Sequence, residues 1–234
     1  MLEKETLLAA IAGNLIVSVQ PDAYHPESDP MNDPNVIAAM AASVVQGGAA
    51  AVRINSPQHI RAVRERVSVP VIGLFKFDIE GYDVRITPTI HHAKQIAEAG
   101  ADVIALDATH RPRPEGLDAV QFIQRVKAET GCLIMADIST VEEGIAAAEA
   151  GADFIATTLS GYTAYSPQSE GPDYALVKAL AAEIQTPIVA EGRISTPAEA
   201  RQMLESGAFA VTVGSAITRP RSITQHFLQQ IKEA

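Results

Sequence analysis

Eight short apolar runs recur along the chain, and segments with a helical pattern separate them. Four runs are Leu15–Val19, Val69–Leu74, Cys132–Ala136 and Thr186–Ala190. Each of the other four follows a glycine-containing turn, and the aligned glycines are Gly48, Gly100, Gly151 and Gly207. The runs are continuous rather than alternating, which is typical of strands buried on both faces. The pattern therefore predicts an internal repeat of parallel strands, each entered from a helix that ends at a glycine.

Capping signals mark where the predicted helices begin. Ser56 precedes a proline, and proline is favoured at the first position of a helix. Thr140 and Thr196 each stand three residues before a glutamate, which is the pattern of a capping box. Thr87-Pro88 and Pro220 mark two further helix starts.

Eight strand–helix units in 234 residues leave about 29 residues per unit. Connections this short between parallel strands are right-handed crossovers, and eight such units close into a barrel. We therefore predict an α/β fold, a TIM (β/α)8 barrel, with residues 1–234 as a single domain. An open doubly wound sheet is the alternative, but its glycine-rich dinucleotide fingerprint does not follow the first strand. The longest polar stretch, Pro21–Pro34, follows that strand and is either a lid or an ordinary surface loop.

The composition narrows the class of partner. The net charge of −10 comes from 18 Lys and Arg against 28 Asp and Glu. An acidic chain without a basic run disfavours nucleic acid or an anionic membrane, whereas a small anionic substrate needs only one local positive pocket. No apolar run approaches the roughly 20 residues of a membrane span. Residues 1–12 resemble an acidic amphipathic segment rather than a signal peptide, so we expect a cytoplasmic protein.

Polar residues follow every predicted strand, at the end of the barrel where active sites of this fold lie. Those we single out are Gln20, Arg53, Lys76, Asp137, Thr158, Glu191 and Ser215. Lys76 stands between two phenylalanines. Burial there, together with a nearby Arg53, would lower its pKa from about 10.4 to about 7. The alternative is a surface lysine that extends its ammonium into solvent.

Two carboxylates have both a chemical and a structural interpretation. Glu191 ends the seventh strand and is a candidate acid or base, but it could instead form a salt bridge with Arg193. Asp137 ends the fifth strand and could orient a substrate, or it could help to cap the helix that begins near Thr140.

The glycines after the last two strands indicate a phosphate site. Gly192, Gly214 and Ser215 lie where barrels of this kind hold a phosphate by backbone N–H groups and a short helix, and Arg219 could supply the positive charge.

We expect no metal ion. Four of the six histidines fall on predicted helices, where His91 and His92 would be a surface pair, and no metal-ligand spacing is present. The single cysteine, Cys132, excludes an intramolecular disulfide and is predicted to lie in the core.

Several sequence blocks together resemble one known family. They are LIVSVQ (15–20), AVRINS (51–56), PVIGLFKFD (70–78), ITPT (86–89), ADVIALDAT (102–109), RPRP (111–114), MADIST (135–140), TTLSGYT (157–163), IVAEGRI (188–194) and VTVGSAITRP (211–220). The chain resembles the N-acetylmannosamine-6-phosphate 2-epimerases of bacterial sialic acid catabolism. It departs from them in a longer Pro21–Pro34 loop and at Phe77, where a basic residue is common.

The resemblance implies epimerisation of a phosphosugar at C2 without metal or cofactor. It implies Lys76 and Glu191 as the proton-transfer pair, assisted by Arg53 and Asp137, with Gln20 and Arg219 in contact with the substrate. A homodimer is plausible for such a family. The alternatives are another phosphate-binding barrel isomerase, epimerase or aldolase, or a barrel that only binds phosphosugars.

Overall fold

The computed structural model describes residues 3–22 and 28–232. Eight parallel strands form a closed barrel in which each strand pairs with the next and the eighth pairs with the first. The strands are β1 Leu15–Val19, β2 Ala51–Asn55, β3 Val71–Leu74, β4 Val103–Asp107, β5 Leu133–Asp137, β6 Phe154–Ala156, β7 Ile188–Glu191 and β8 Ala210–Val213. The predicted TIM barrel is therefore confirmed.

Among the described helices, one precedes β1, and the others follow the strands. The helices are α1 Lys4–Ile11, α2 Pro34–Gln46, α3 Pro57–Arg64, α4 Ile90–Glu98, α5 Ala119–Thr130, α6 Val141–Glu149, α7 Tyr174–Glu183, α8 Pro197–Glu205, α9 Ser215–Thr218 and α10 Pro220–Lys232. None of the described helices is long and apolar enough to cross a membrane. The Pro21–Pro34 stretch, predicted as either a lid or an ordinary surface loop, includes residues 23–27, which lie outside the described residues, and its last residue begins α2.

Two apolar layers result from the alternation of side chains along each strand. One side of each strand faces helices, while the other faces the barrel interior, where Ile16, Ile72, Val103, Phe154 and Val189 pack together. Leu7 and Ile11 of α1 join this interior cluster. Lys4 of the same helix forms an ion pair with Asp153 just before β6. The helix α1 therefore closes the barrel at the amino-terminal ends of the strands.

The predicted turn glycines and capping boxes are confirmed. Gly48, Gly100, Gly151 and Gly207 all have positive φ, between 91° and 105°. Thr140 and Thr196 both form the reciprocal hydrogen bonds of a capping box.

Of two other predicted helix starts, one is confirmed and one is displaced. The helix α3 begins at Pro57 as predicted, but the side chain of Ser56, a residue with φ 77°, makes no capping bond, and its Oγ lies 3.0 Å from Nδ1 of His59. The helix expected to begin near Thr87-Pro88 begins instead after Thr89, whose hydroxyl accepts from the helix backbone. Thr87 has φ 49°, and its hydroxyl donates to the carbonyl of Ala105 at 2.7 Å.

The prediction that His91 and His92 both lie at the surface is wrong for His92. His91 is exposed, but the ring of His92 is buried with its centroid 5.0 Å from that of Phe75 and 4.9 Å from that of Phe77. Cys132 is 2% exposed, which confirms its place in the core.

The final helix, α10, does not pack into the core. None of its residues, Pro220–Lys232, is buried, and Phe227, Leu228 and Ile231 are 64%, 49% and 69% exposed. A groove of about 470 Å³ lies on the outside of β8 and β1 beside α8. In a (β/α)8 barrel the helix that follows the eighth strand covers this position.

Candidate active site

The carboxyl-terminal end of the barrel holds a cavity of about 540 Å³. Nine of the ten predicted site residues line this cavity, namely Gln20, Arg53, Lys76, Thr158, Glu191, Gly192, Gly214, Ser215 and Arg219. Asp137 does not line it and is fully buried beneath it.

Arg53 links three strand ends at the base of the cavity. Its Nη1 donates to Asp137 Oδ1 and to Thr158 Oγ1, both at 3.1 Å, and forms an ion pair with Glu191. Its Nη2 forms a second bond to Asp137, so that pair is bidentate. The alternative partner for Glu191, Arg193, is engaged elsewhere, with Nε 2.8 Å from the carbonyl of Gly171.

The charges of this cluster depend on one another. Burial alone would lower the pKa of Arg53, but the carboxylates of Asp137 and Glu191 outweigh it and the pKa is raised. Burial and the negative charge of Glu191 raise the pKa of Asp137 to about 6, although the positive charge of Arg53 opposes the shift. Arg53 therefore remains a cation. The helix α6 is capped by Thr140, so Asp137 is not its cap. Asp137 instead binds the guanidinium of Arg53, and Arg53 in turn lines the cavity.

Lys76 reaches the cavity from a short hairpin after β3. Its backbone N–H donates to Asn55 Oδ1 at 2.8 Å, and it forms an antiparallel bridge with Ile86. Burial, together with the positive charges of Arg53 and Arg219, lowers the pKa of Lys76 to about 8, although the negative charge of Glu191 opposes this shift. No residue in the described ranges pairs with its ammonium. Lys76 is thus a cavity lysine whose proton is unusually easy to remove.

The expected phosphate residues form one corner of the cavity. Gly192 has φ 119°, a backbone conformation that favours glycine, directly after β7. Gly214 precedes α9, and Ser215 begins it. Arg219 lies at the other end of α9 and lines the same cavity.

Several residues that line the cavity were not predicted from the sequence. Ser18 and Thr212 continue the inward positions of β1 and β8, so a period of two residues could have found them. Arg85, Arg111 and Tyr162 lie in loops. No sequence pattern locates loop side chains, and only the folded positions show that they face the cavity.

The described residues contain no group of three or more His, Cys, Asp or Glu side chains arranged to hold a metal ion. That the chemistry needs no metal and no cofactor stays a prediction.

Comparison with known proteins decides the family. Residues 37–233 match the model of a family described as "Putative N-acetylmannosamine-6-phosphate epimerase". The chain belongs to this family. A family relative from Caldanaerobacter subterraneus subsp. tengcongensis is 49% identical over 228 residues, covering 97% of this chain and 94% of the relative. One from Cutibacterium acnes is 47% identical over 230 residues, covering 97% and 98%.

The family likeness extends to a solved structure. The N-acetylmannosamine-6-phosphate 2-epimerase from Clostridium perfringens superposes with a TM-score of 0.91 at 39% identity, covering 96% of each chain. A thiamine phosphate pyrophosphorylase from Pyrococcus furiosus has a TM-score of 0.58 at 17% identity and shares only the fold. The family resemblance predicted from the sequence blocks is confirmed.

We expect Arg53→Ala to destabilise the protein by about 3–5 kcal/mol, because it leaves two carboxylates without their buried counter-charge. Arg125→Ala is the control, since Arg125 forms an exposed pair with Glu129 and such pairs contribute little. Urea unfolding measures both. Equal effects of the two substitutions would contradict a supporting role for Arg53.

Proposed function

We propose that this protein is an N-acetylmannosamine-6-phosphate 2-epimerase, which interconverts N-acetylmannosamine 6-phosphate and N-acetylglucosamine 6-phosphate. The observation that carries the proposal is the cavity lysine: Lys76 has a lowered pKa and faces a cavity that also contains Arg53, Glu191 and a phosphate corner. Family membership supports the choice of substrate.

The reaction needs a proton removed from C2 and another returned on the opposite face. In the open-chain sugar the C1 aldehyde acidifies the C2–H bond. Lys76 follows β3 and Glu191 ends β7, and these strands are opposite in an eight-stranded barrel. We assign the two proton transfers to this pair, one residue acting as base and the other as acid, with the roles exchanged in the reverse direction.

Arg53 is the proposed donor to the oxygen on C1, where negative charge develops once the C2 proton has left. Its Nε is buried and has no hydrogen-bond partner in the described part of the chain, although Arg53 lines the cavity. A charged donor held in place before the reaction stabilises such an oxyanion without reorganisation. Asp137 keeps the guanidinium oriented from below.

The phosphate corner supplies binding energy away from the reacting carbon. Gly192, Gly214 and Ser215 would bind the phosphate through backbone N–H groups, and Arg219 would balance its charge. Gln20 and Thr158 complete the proposed substrate contacts.

A lysine-dependent aldolase would also place a lysine at a strand end. It would form a Schiff base that borohydride traps, whereas an epimerase lysine forms no covalent adduct. A barrel that only binds phosphosugars would show no turnover.

We further propose a homodimer in which α10 of each protomer fills the groove of the other. The helix has an apolar face and no buried residue, and the groove beside Leu15, Leu204 and Val211 lies where an eighth helix belongs. The cytoplasmic location and the absence of a nucleic-acid partner stay predictions of the sequence.

Lys76→Ala and Glu191→Gln are each expected to lower kcat by at least about 10²-fold, the lower end for general acid–base catalysis. KM should change less, because the phosphate contacts remain. In D₂O the wild-type product should carry deuterium at C2, which NMR detects.

The Glu191→Gln variant also distinguishes two bases from one. With two bases, it should stop inversion but still allow Lys76 to exchange the C2 hydrogen of one epimer with deuterium. If inversion persists at nearly the wild-type rate, Lys76 serves both faces and Glu191 acts only through Arg53. Complete retention of the substrate's C2 hydrogen would contradict both routes.

The pH profile tests the protonation state of the pair. Two opposed bases work only when they share one proton, in either direction of the reaction. Since the pKa of Lys76 is lowered to about 8, kcat/KM should fall as the pH rises through about 8. A rise through the same pH would mean that neutral Lys76 is the active form and would favour a single base.

Arg219→Ala is expected to lower kcat/KM for N-acetylmannosamine 6-phosphate by about 10–100-fold, the loss of one charge-assisted hydrogen bond. It should affect the much slower reaction of unphosphorylated N-acetylmannosamine far less, because that sugar has no phosphate to bind and only the effect of Arg219 on the pKa of Lys76 remains. Arg221→Ala is the control, because Arg221 pairs with Asp22 outside the cavity. Equal rates with both sugars would show that the phosphate corner is misplaced.

The dimer is tested by charging the apolar face of α10. Wild-type protein should sediment as a dimer, and the double variant Phe227→Glu with Ile231→Glu as a monomer, because charged side chains resist burial in an apolar groove. Gln225→Glu, on the opposite side of the helix, should remain dimeric. A monomeric wild type at micromolar concentration would refute the exchange of helices.

A further inference from the structure

Besides Nε of Arg53, two buried polar atoms of cavity-lining residues have no hydrogen-bond partner in the described ranges: Oε1 of Gln20 and Oγ1 of Thr212. Gln20 is 4% exposed and Thr212 is 1% exposed, and both line the cavity. The other end of the Gln20 amide is fixed, since Nε2 donates to Ser18 Oγ at 2.8 Å. Whichever way the amide is turned, one of its polar ends therefore remains for a ligand.

Packing alone does not account for these side chains. A buried polar atom without a partner destabilises a protein, and native structures retain few of them. Valine has the shape of threonine and would remove the unpaired oxygen from position 212. The residue two positions below on the inward face of β8, Ala210, is apolar. Polar atoms kept under these conditions indicate a ligand that pairs with them.

The order of strands places these atoms along the path of the substrate. Gly214, at the phosphate corner, follows β8, and Lys76 follows β3. In the closed barrel β8 is followed by β1, β2 and β3, so Thr212 on β8 and Gln20 after β1 lie between the two ends of the site. An open-chain hexose held by its C6 phosphate at one end, with C2 at Lys76, has its C4 and C5 hydroxyls in this interval.

We propose that Gln20 and Thr212 form a hydroxyl-binding subsite that recognises the carbon chain between the phosphate and the reacting carbon. The subsite rests on the proposed function. A hydroxyl both donates and accepts, so it can donate to the Gln20 oxygen and pair with the Thr212 hydroxyl in either sense. The two residues would then determine specificity, because a deoxy sugar leaves their atoms buried and unpaired.

Binding of an unreactive ligand tests the subsite independently of turnover. The probe is glucitol 6-phosphate, an open-chain polyol phosphate with no carbonyl, measured by calorimetry against its 4-deoxy and 5-deoxy analogues. Wild-type protein should bind at least one analogue about 10–100-fold more weakly. Thr212→Val and Gln20→Met should weaken glucitol 6-phosphate by a similar factor. Either variant should show little further loss with the analogue that lacks the hydroxyl it would bind, since the contact is already gone.

Thr186→Val is the matched control, since Thr186 lies before β7 at the opposite end of the barrel. It should not change binding. Stability gives a second readout. Thr212→Val should unfold at the same or a higher urea concentration than wild type, whereas loss of a hydroxyl that stabilises the fold would lower that concentration. The subsite would be overturned if both variants bound glucitol 6-phosphate within twofold of the wild-type affinity. It would also be overturned if each variant lost the same affinity for the deoxy analogues as for glucitol 6-phosphate.

Turnover separates this inference from the proposed function. If wild-type protein converts N-acetylmannosamine 6-phosphate but the polyol shows no dependence on Thr212 or Gln20, the subsite fails and the epimerase stands. If turnover is absent but the hydroxyl dependence is found, the proposed reaction fails and the subsite for a polyol phosphate stands.

Discussion

The buried guanidinium of Arg53 is the interaction on which the rest of the site depends. It connects β2 with the ends of β5 and β7 by ion pairs to Asp137 and Glu191. Each charge in the cluster is tolerated only because the others are present, since an uncompensated ion in a protein interior is strongly unfavourable. The same cation lowers the pKa of Lys76. One group thus fixes the base of the cavity and tunes the residue proposed to move protons.

Much of the fold follows from local patterns in the sequence. Continuous apolar runs and repeated turn glycines are properties of neighbouring residues, and they predict the eight strands because each strand is buried on both faces. Errors occur where a residue's partner is distant in sequence. Thr87 bonds to Ala105 rather than opening a helix, and His92 packs on Phe75 and Phe77 rather than facing solvent.

The site could be predicted in part for the same reason. Strand-end positions identify eight of the nine predicted lining residues because the barrel brings all strand ends together. Strand-end positions do not show which of two arginines pairs with a given carboxylate. Glu191 is two residues from Arg193 and 138 from Arg53, yet it pairs with Arg53, because both point inward from facing strands. Loop residues such as Tyr162 carry no periodic signal at all, so their approach to the cavity is visible only in the fold.

The position of α1 determines where substrate and product can enter and leave the barrel. Leu7 and Ile11 pack against the amino-terminal end of the barrel interior, so within the described ranges the cavity opens at the carboxyl-terminal end of the strands. Under the proposed reaction, both epimers enter and leave at that end and differ at one carbon, so each occupies the cavity at the expense of the other. Net conversion would then follow the ratio of the two epimers in the surroundings, and a step that consumes one of them would set the direction of flow.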